Sequence, residues 1–599
     1  MTRQLFPSFV VLLVACSCAG ASGQASNAGG QAPAGVQAAK PGARMSGTTI
    51  QLGKPVEQAP ATAEPVTPAN ENATLAQADR LLANGKAADA QAKYQAVARI
   101  DPASVPAQVG LIRSLLVQQK LDEAQSFAET ALASQPESPQ LLLTMGDLQF
   151  AQGKIPDAER SYVKAENLKP DDPAPYIGLA RVYRAASLYR RAYDNMKRAH
   201  ELAPNDLPVQ LLWFNSLPQE DRIPALRSYL TTPTLAPRTS KTLEGYLAFV
   251  KRNADAPVHP CTLAGNLHQT ETKLYALPRS GSELGASGLA VKINNQEMHL
   301  ALDTGTSGVL LGRTAAEKLG LQRLGYQPII GMGDSGQQGG YRAVVKRIRV
   351  GDLEFSDCMV RVTDAATPVT GQDGLIGADV FSAYLIDIDI PGAKLRLSPL
   401  PKRPDEAAAP ARLKTVSRDA QELETEGADQ STAASTKAGA EQTVHLPKDA
   451  YVAPEMADWT KVYRFRNLLL VPTKVDNAGP MLFLIDTGSF SNTLSTQAVR
   501  ELTKLRADPS TQIKGLSGSV AKVYRADKAT LQFGRYAQEN QDVVTFDLSN
   551  ISRQTGTQVS GILGFNMLRI LQTKIDYRDG LVDFIYDPKH LPKQVKLNK

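Results

Sequence analysis

The chain contains two copies of one β-strand module, and each copy carries Asp-Thr-Gly directly after its second strand. The first copy reads LAVKINNQEMHLALDTGTSGVLL and the second reads LLVPTKVDNAGPMLFLIDTGSFSNTL. In both, an apolar strand, a polar turn and a second apolar strand lead into the triplet, which is Asp303-Thr304-Gly305 in one and Asp486-Thr487-Gly488 in the other. Short apolar segments separated by polar turns are typical of β-hairpins. The duplication therefore predicts two similar all-β lobes.

A second motif follows each triplet at nearly the same distance. Gly374-Leu375-Ile376-Gly377 begins 71 residues after Asp303, and Gly561-Ile562-Leu563-Gly564 begins 75 residues after Asp486. A single Asp-Thr-Gly would carry little information, because average residue usage gives roughly 0.1 per chain of this length. Two triplets, each behind an apolar strand and ahead of a Gly-apolar-apolar-Gly segment, indicate a repeated structural unit.

With these motifs the chain resembles the two halves of an aspartic protease, closer to the retropepsin-like module than to the compact pepsins. The resemblance covers nearly half the chain. It implies that Asp303 and Asp486 form a catalytic pair with no metal and no cofactor. Two adjacent carboxyls cannot both ionise, so they share a proton and act as one coupled acid and base. Hydrolysis of a protein or peptide substrate is the implied reaction.

The resemblance also implies supporting roles for the residues around the pair. The hydroxyls of Thr304 and Thr487 would brace one loop against the other. Gly305 and Gly488 would let the backbone approach the carboxylates, where a Cβ would intrude. Ser489 follows the second triplet, and its hydroxyl is able to hydrogen-bond the preceding Asp.

A protease of this kind needs a hairpin flap that closes over the substrate and excludes water. The glycine-rich segment with Gly331 and Gly333 is the candidate in the first copy, and the segment with Gly515 and Gly518 is the candidate in the second. Ordinary surface hairpins are the alternative for both segments. Asp334, Asp373, Asp379 and Asp576 are interpreted as turn or surface residues.

A different repeat, with a period of 34 residues, precedes the β modules. Pro102, Pro136, Pro170 and Pro204 keep this spacing, and alanines and acidic-Ala pairs repeat with them. Small alanines let two helices approach closely, and each proline ends the second helix of a unit. The pattern resembles the tetratricopeptide repeat, which implies a helical solenoid with a face for a protein partner. A spacer or a structural cap on the next domain is the alternative role.

The N-terminus has the layout of an export signal. An Arg near the start, an apolar stretch and small residues are typical of a secretory signal peptide. Leu13-Val14-Ala15-Cys16 resembles a lipoprotein box, which would make Cys16 a lipidated membrane anchor, and Ala19-Gly20-Ala21 fits ordinary cleavage instead. We expect an exported protein, either periplasmic or anchored as a bacterial lipoprotein, with a secreted protein as the alternative.

Composition excludes several other classes of protein. The net charge of +6 over 599 residues gives no basic stripe of the kind that binds nucleic acid. The 4 cysteines form no zinc-finger pattern and no disulfide framework. Cys261 and Cys358 would be able to bridge the helical region to the first β module in an oxidising compartment. Two unpaired thiols are the alternative.

The predicted fold class is multidomain α + β, with an all-α tetratricopeptide solenoid followed by two all-β aspartic-protease-like lobes. The predicted segments, in chain order, are a signal peptide (1–21), a disordered tether (22–72), the repeats (73–205), a helical cap (206–269), the first lobe (270–400), a disordered linker (401–445) and the second lobe (446–590). We expect an exported aspartic endopeptidase whose solenoid recruits a substrate or partner. The alternatives are a non-catalytic binding scaffold with degenerate lobes, and two lobes that each act as a homodimer.

Overall fold

A computed structural model describes most of the chain after residue 66. The described residues are 67, 70–231, 237–254, 260–265, 267–280, 283–329, 331–334, 338–368, 371–404, 446–516 and 518–590. The predicted signal peptide, with Cys16, and residues 405–445 of the predicted linker lie outside them. No helix among these residues has the length and apolar character needed to cross a membrane.

The first part of the chain is helical. Its helices are α1 (Glu71–Ala83), α2 (Ala87–Ile100), α3 (Val105–Val117), α4 (Leu121–Ser134), α5 (Pro139–Ala151), α6 (Ile155–Leu168), α7 (Pro173–Ala185), α8 (Tyr189–Leu202), α9 (Leu207–Ser216), α10 (Gln219–Leu230) and α11 (Pro237–Ala254). The chain divides into two compact units at Gln118, so α1–α3 lie in the first unit and α4–α11 lie in the second.

The helical repeats are held by small residues and by a repeated polar contact. The Tyr94 hydroxyl donates to Asp79 at 2.6 Å in the first unit, and the Tyr162 hydroxyl donates to Asp147 at 2.8 Å in the second. In the second unit Tyr162 is fully buried, and a Cβ at Gly178 would lie 2.5 Å from its ring. Glycine is therefore required where the helices approach this ring. The alanines of the repeat are likewise buried between helices.

The rest of the second unit is built from strands. They are β1 (Pro260–Ala264), β2 (Thr270–Ser280), β3 (Glu283–Ile293), β4 (Gln296–Leu302), β5 (Val309–Leu311), β6 (Gly325–Tyr326), β7 (Gly340–Val350), β8 (Leu353–Thr363), β9 (Gly374–Ile376), β10 (Tyr384–Asp389), β11 (Lys394–Pro399), β12 (Thr460–Lys461), β13 (Tyr463–Phe465), β14 (Leu468–Val475), β15 (Met481–Ile485), β16 (Thr493–Ser495), β17 (Leu505–Ala507), β18 (Lys514–Gly515), β19 (Gly518–Ser519), β20 (Val523–Phe533), β21 (Tyr536–Phe546), β22 (Gly561–Leu563), β23 (Gln572–Asp576) and β24 (Leu581–Ile585).

Short helices lie between these strands. They are α12 (Arg313–Lys318), α13 (Thr496–Val499), α14 (Ser549–Thr555) and α15 (Phe565–Leu568), with 3-10 turns at Ala378–Phe381, Pro454–Met456 and Pro588–His590. The order of helices followed by two β-rich lobes confirms the predicted fold class. The predicted domain boundaries stay predictions.

The two lobes repeat one topology and share a sheet. In the first, β4 pairs with β9 in parallel and β9 pairs with β5; in the second, β15, β22 and β16 pair in the same way. The lobes are joined where β10 pairs antiparallel with β23, with Ile386 opposite Ile575. The shared sheet continues with β11 and β2 beyond β10, and with β24 and β12 beyond β23. Both lobes are therefore parts of one folded body within a single chain.

The helices α5–α7 pack directly on the second lobe. Their apolar residues, among them Phe150, Ile155 and Leu179, form one buried cluster with Phe465 and Leu482. The rings of Phe150 and Phe465 meet edge to face, with centroids 6.1 Å apart. A backbone hydrogen bond also joins the two parts, since the amide of Gln558 donates to the carbonyl of Ala151 at 2.7 Å. This part of the solenoid therefore serves as a structural partner of the second lobe.

Candidate active site

Asp303 and Asp486 stand at equivalent positions, directly after β4 and β15. The backbone N–H of Asp303 donates to the carbonyl of Ile376 at 3.0 Å, and that of Asp486 donates to the carbonyl of Leu563 at 3.1 Å. Both carbonyls belong to the Gly-apolar-apolar-Gly motifs. The two motifs therefore support the loops that carry the carboxyls. This arrangement explains why they follow the triplets at similar distances.

The loops are locked together by their threonines. The Thr304 hydroxyl donates to the carbonyl of Ile485 at 2.8 Å, and the Thr487 hydroxyl donates to that of Leu302 at 2.8 Å. Each hydroxyl also accepts from the backbone N–H of the other threonine, at 3.0 and 3.1 Å. Both threonines are buried. Four hydrogen bonds in this small region hold the two loops at a fixed distance.

The locked loops bring the carboxyls of Asp303 and Asp486 next to each other, because the Asp486 carboxyl lies against Gly305 and the Asp303 carboxyl lies against Gly488. Asp303 Oδ1 accepts from the backbone N–H of Gly305 at 2.8 Å. Asp486 Oδ1 accepts from Gly488 at 2.9 Å and from Ser489 at 3.1 Å. The Ser489 contact thus runs through the backbone amide.

The glycines of both triplets are required by this close approach. A Cβ added at Gly305 would lie 2.7 Å from Asp486 Cγ, and one added at Gly488 would collide with the Asp303 carboxyl. Real Cβ atoms do not come this close to another side chain. The third residue of the triplet therefore leaves room for the partner carboxyl.

The pKa of each carboxyl of the pair is raised. Burial, followed by the negative charge of Asp486 and a hydrogen bond to it, raises the pKa of Asp303 well above the usual range. Burial also raises the pKa of Asp486, but the hydrogen bond from Asp303 and the backbone donors of Gly488 and Ser489 oppose the rise. Because the pKa of each carboxyl is raised, the pair holds on to a proton that an isolated, exposed carboxyl would lose. The pair titrates as a coupled unit.

The two glycine-rich segments predicted as flaps lie against each other. The Asp334 amide donates to the carbonyl of Ser519 at 3.2 Å, and Asp334 Oδ2 accepts from the amide of Ala521 at 2.7 Å. Gly331 lies against Leu516, and Gly515 lies against Met332. Gly333 and Gly518 have φ values of 126° and 94°, which glycine adopts readily.

The side chains at these tips cross between the lobes. Leu516, from the second lobe, packs on an apolar cluster of the first lobe that includes Leu310 and Leu375. Met332, from the first lobe, packs on the cluster shared by the second lobe and the solenoid. Each segment therefore covers part of the opposite lobe.

Two of the acidic residues interpreted as turn or surface residues are buried. Asp379 does lie in a turn, the 3-10 turn after β9, whereas Asp576 is the last residue of β23, so for Asp576 the interpretation is wrong. Asp379 is 3% exposed and Asp576 is 1% exposed. Asp379 accepts from the Ser307 hydroxyl at 2.8 Å and from the Gly308 amide at 2.9 Å. The sequence does not reveal this burial, because it depends on strands that are far apart in the chain.

Cys261 and Cys358 form a disulfide. It links β1 to β8, where the residue before Cys261 lies opposite Cys358 in an antiparallel pair. The bridge joins the start of the first β lobe to its core rather than a helix to a strand.

Comparison with known proteins identifies the same two kinds of domain. Residues 289–380 and 471–567 match the family model for aspartyl protease, and residues 81–148 and 115–182 match the model for the tetratricopeptide repeat. The lobes and the repeats predicted from the sequence are confirmed. No curated protein sequence matches the chain.

Three solved structures are similar to parts of the chain. An aspartic proteinase from Irpex lacteus is 12% identical, with a TM-score of 0.31, and the match covers 53% of this chain and 98% of that one. A retropepsin-like aspartic protease from Rickettsia conorii is 20% identical, with a TM-score of 0.17 and coverage of 22% and 90%. The Pseudomonas aeruginosa pilF structure is 20% identical, with a TM-score of 0.24 and coverage of 31% and 85%.

Proposed function

We propose that this chain, which carries two aspartyl protease domains and a tetratricopeptide segment, is an aspartic endopeptidase with one catalytic dyad, Asp303 and Asp486. The observation that carries the proposal is the pair of adjacent carboxyls, one from each lobe, each lying against the glycine of the other triplet. A pair with one shared proton holds an acid and a base next to each other, and peptide hydrolysis needs both. The substrate is a protein or peptide.

The two carboxyls take opposite roles in this proposal. Asp486, the charged member, takes a proton from a water molecule held between the carboxyls, and that water attacks the peptide carbonyl carbon. Asp303, the protonated member, donates its proton to the carbonyl oxygen as the tetrahedral intermediate forms. When the C–N bond breaks, Asp486 donates the proton it took from water to the leaving nitrogen, and a hydroxyl of the intermediate returns a proton to Asp303 as the new carboxyl group forms. Because the reaction needs one proton on the pair, activity falls both at low pH and at high pH.

The crossed segments at Gly331–Asp334 and Gly515–Ser519 act as the flaps. In this proposal they part to admit an extended peptide and close over it, which removes water around the dyad. Leu516 and Met332 leave their contacts on the opposite lobes when the flaps open. The cost of breaking these contacts favours substrates with apolar side chains that replace them.

Pairing within one chain is favoured over two separate homodimers. The β10–β23 pairing and the Thr304–Thr487 exchange are both contacts inside a single chain. Homodimers would have to break both and rebuild them with another molecule. The non-catalytic scaffold is disfavoured by the two intact triplets, since a binding protein has no need of two adjacent carboxyls that disfavour each other's charge.

The tetratricopeptide segment has two roles in this proposal. Helices α5–α7 support the second lobe through the shared apolar cluster. The faces of the helices outside that contact recruit a protein substrate or partner, which is the usual employment of such a repeat. We also propose that the protein is exported by its N-terminal signal, with lipid attachment at Cys16 and a periplasmic or membrane-anchored location.

Proteolysis by the purified full chain tests the function. Wild type, Asp303→Asn and Asp486→Asn would be assayed on an unfolded protein substrate from about pH 3 to about pH 8, with and without pepstatin. We expect each single substitution to abolish cleavage. Asp364→Asn, at an exposed carboxylate paired with Arg323, is the matched control and should keep full activity.

The other outcomes separate the alternatives. Activity that survives in one of the two dyad variants would indicate homodimeric sites. Equal cleavage by wild type and both dyad variants would mean a contaminating protease. A folded wild type without cleavage at any pH would overturn the proposal in favour of the binding scaffold.

A further inference from the structure

The tip of the first-lobe flap is held by a side chain of the second lobe. Nδ2 of Asn550 donates to the carbonyl of Gly333 at 3.2 Å. Gly333 itself is buried, and the neighbouring Met332 packs on the apolar cluster that the second lobe shares with α5–α7. The flap tip therefore has a polar anchor as well as an apolar one on the opposite lobe.

Asn550 belongs to α14, which lies between β21 and β22. Arg553 on the same helix donates to the side-chain oxygen of Asn550, which leaves the amide nitrogen to face Gly333. The corresponding strands of the first lobe are β8 and β9, and the described part of the segment 364–373 between them contains no helix. The anchor is therefore a feature of the second lobe.

Helix α14 is fixed to the segment that follows it. The hydroxyl of Thr555 donates to the carbonyl of Thr557 at 2.8 Å and accepts from the amide of Thr557 at 3.4 Å. The amide of Val559 donates to the hydroxyl of Ser552 at 3.0 Å. Ser552 and Thr557 are both buried, so these bonds are shielded from water. The helix and the segment 557–559 therefore form one piece.

That segment rests on α5 of the solenoid. The hydroxyl of Thr557 donates to the carbonyl of Phe150 at 2.6 Å, and the amide of Gln558 donates to the carbonyl of Ala151 at 2.7 Å. A Cβ added at Gly153 would lie 3.4 Å from the carbonyl oxygen of Gln558, so the turn after α5 packs closely on the same segment. A continuous series of hydrogen bonds therefore runs from α5 to the tip of the first-lobe flap.

We propose that Asn550 is a positioning residue for the first-lobe flap, and that α5 of the solenoid supports it through Thr557. The inference rests on the proposed protease function, in which the flaps part to admit substrate. The Asn550 anchor adds to the hydrogen bonds that join Asp334 to Ser519 and Ala521, and together they stabilise the closed flap in the absence of substrate. A peptide has to displace these contacts before it reaches the dyad.

The strength of the anchor sets the fraction of the enzyme with an open flap. Substrate binds the open form, so the apparent affinity is reduced by the fraction that is open. A single hydrogen bond makes a modest net contribution, so its loss should raise the open fraction by roughly twofold to tenfold. KM should fall by the same factor. The dyad is untouched, so kcat should stay near the wild-type value.

Asn550→Asp in the full chain tests the anchor. The carboxylate keeps an oxygen that accepts from Arg553, but it has no donor for the Gly333 carbonyl and repels it. We expect amide hydrogen exchange at residues 331–334 to be roughly twofold to tenfold faster than in wild type. KM on an unfolded protein substrate should fall by a similar factor at nearly constant kcat. Unchanged exchange, or a KM that stays the same or rises, would overturn the proposal.

Asn550→Ala removes the donor without adding a charge, and it decides the matter where the aspartate variant fails to fold. Its exchange and KM should change in the same direction, and wild-type values in this variant would also overturn the proposal. Asn195→Asp is the matched control, because Nδ2 of Asn195 likewise donates to a backbone carbonyl, that of Arg191 at 2.9 Å on α8. It should change neither quantity. An equal effect in this control would show that the change is not specific to the flap.

Thr557→Val tests the part played by the solenoid. Valine has nearly the shape of threonine but cannot donate to the carbonyl of Phe150, which still accepts from the amide of Gly153 at 3.0 Å. We expect faster exchange at residues 331–334 and a lower KM, both by less than in Asn550→Asp. The double variant should match Asn550→Asp alone, because the two substitutions act through one contact and are not additive.

Gln497→Ala is the matched control for Thr557→Val. Nε2 of Gln497 also joins the second lobe to the solenoid, where it donates to the carbonyl of Gln119 at 2.8 Å, but Gln497 lies on α13 and not on α14. This variant should leave flap exchange unchanged. Wild-type exchange in Thr557→Val would overturn the link to the solenoid. An inactive wild type would refute the protease function, while hydrogen exchange, which needs no catalysis, would still decide whether Asn550 anchors the flap.

Discussion

Thr304 and Thr487, 183 residues apart in the chain, each accept a hydrogen bond from the other's backbone amide through their hydroxyls. The same hydroxyls donate to Ile485 and Leu302, the last residues of β15 and β4. The exchange is symmetric between the lobes, so one pair of side chains sets the distance between both carboxyls.

Replacing either threonine by valine should reduce stability and activity together. Valine has nearly the shape of threonine but lacks the hydroxyl. Thr304→Val therefore leaves a buried amide and a buried carbonyl without a partner, at a cost of about 1–3 kcal/mol for each group. Denaturant unfolding and kcat measure the two effects. Thr304→Ser is the control, because it keeps the hydroxyl and should stay near wild type. A fully active valine variant would contradict the role of the exchange.

Asp303→Asn should be more stable than wild type above the acidic range while it is inactive. The pKa of Asp303 is raised in the folded protein, so wild-type stability falls as the pH rises from the ordinary carboxyl range through that raised pKa. Asparagine does not ionise and does not lose this stability. The unfolding free energies of wild type and Asp303→Asn, measured at several pH values, should converge at low pH and diverge at higher pH. A constant difference would argue against the raised pKa.

Asp576 should make stability depend on pH near neutrality. Burial, and then the charge of Asp579, raises the pKa of Asp576 to about 7. Stability is lost as the pH rises through this value, by about 1.4 kcal/mol between pH 6 and pH 8. Asp576→Asn should remove this loss while keeping the acceptor for the Asp579 amide. Parallel pH curves for the two proteins would contradict the assignment.

The disulfide between Cys261 and Cys358 should stabilise the first lobe without affecting the chemistry. It closes a segment with a sequence separation of 97 residues, and loss of such a bridge typically costs about 2–4 kcal/mol. Replacing both cysteines by serine should lower Tm and leave kcat unchanged below the unfolding temperature. Reductant should shift the Tm of wild type and not that of the variant. Equal sensitivity to reductant in both would mean that the bridge is not formed in solution.

The amino-acid sequence by itself determined the elements that depend on local order. The duplicated strand–turn–strand modules predicted two β lobes, and the 34-residue period predicted the helical repeats, because burial of one face of a strand or helix leaves a regular pattern in the chain. The triplets also predicted that Asp303 and Asp486 form the pair. Each triplet follows an apolar strand and precedes a Gly-apolar-apolar-Gly segment at nearly the same distance.

The tertiary structure alone decided which groups surround the pair. The sequence does not show that Asp379 and Asp576 are buried. Nothing local links Asn550 to the flap at Gly333, because 217 residues separate the two. The repeat pattern likewise does not show that α5–α7 pack on the second lobe. An apolar position in a helix looks the same in the sequence whether it faces a neighbouring helix or another domain. Burial and charge balance depend on contacts between distant segments, and these exist only once the chain has folded.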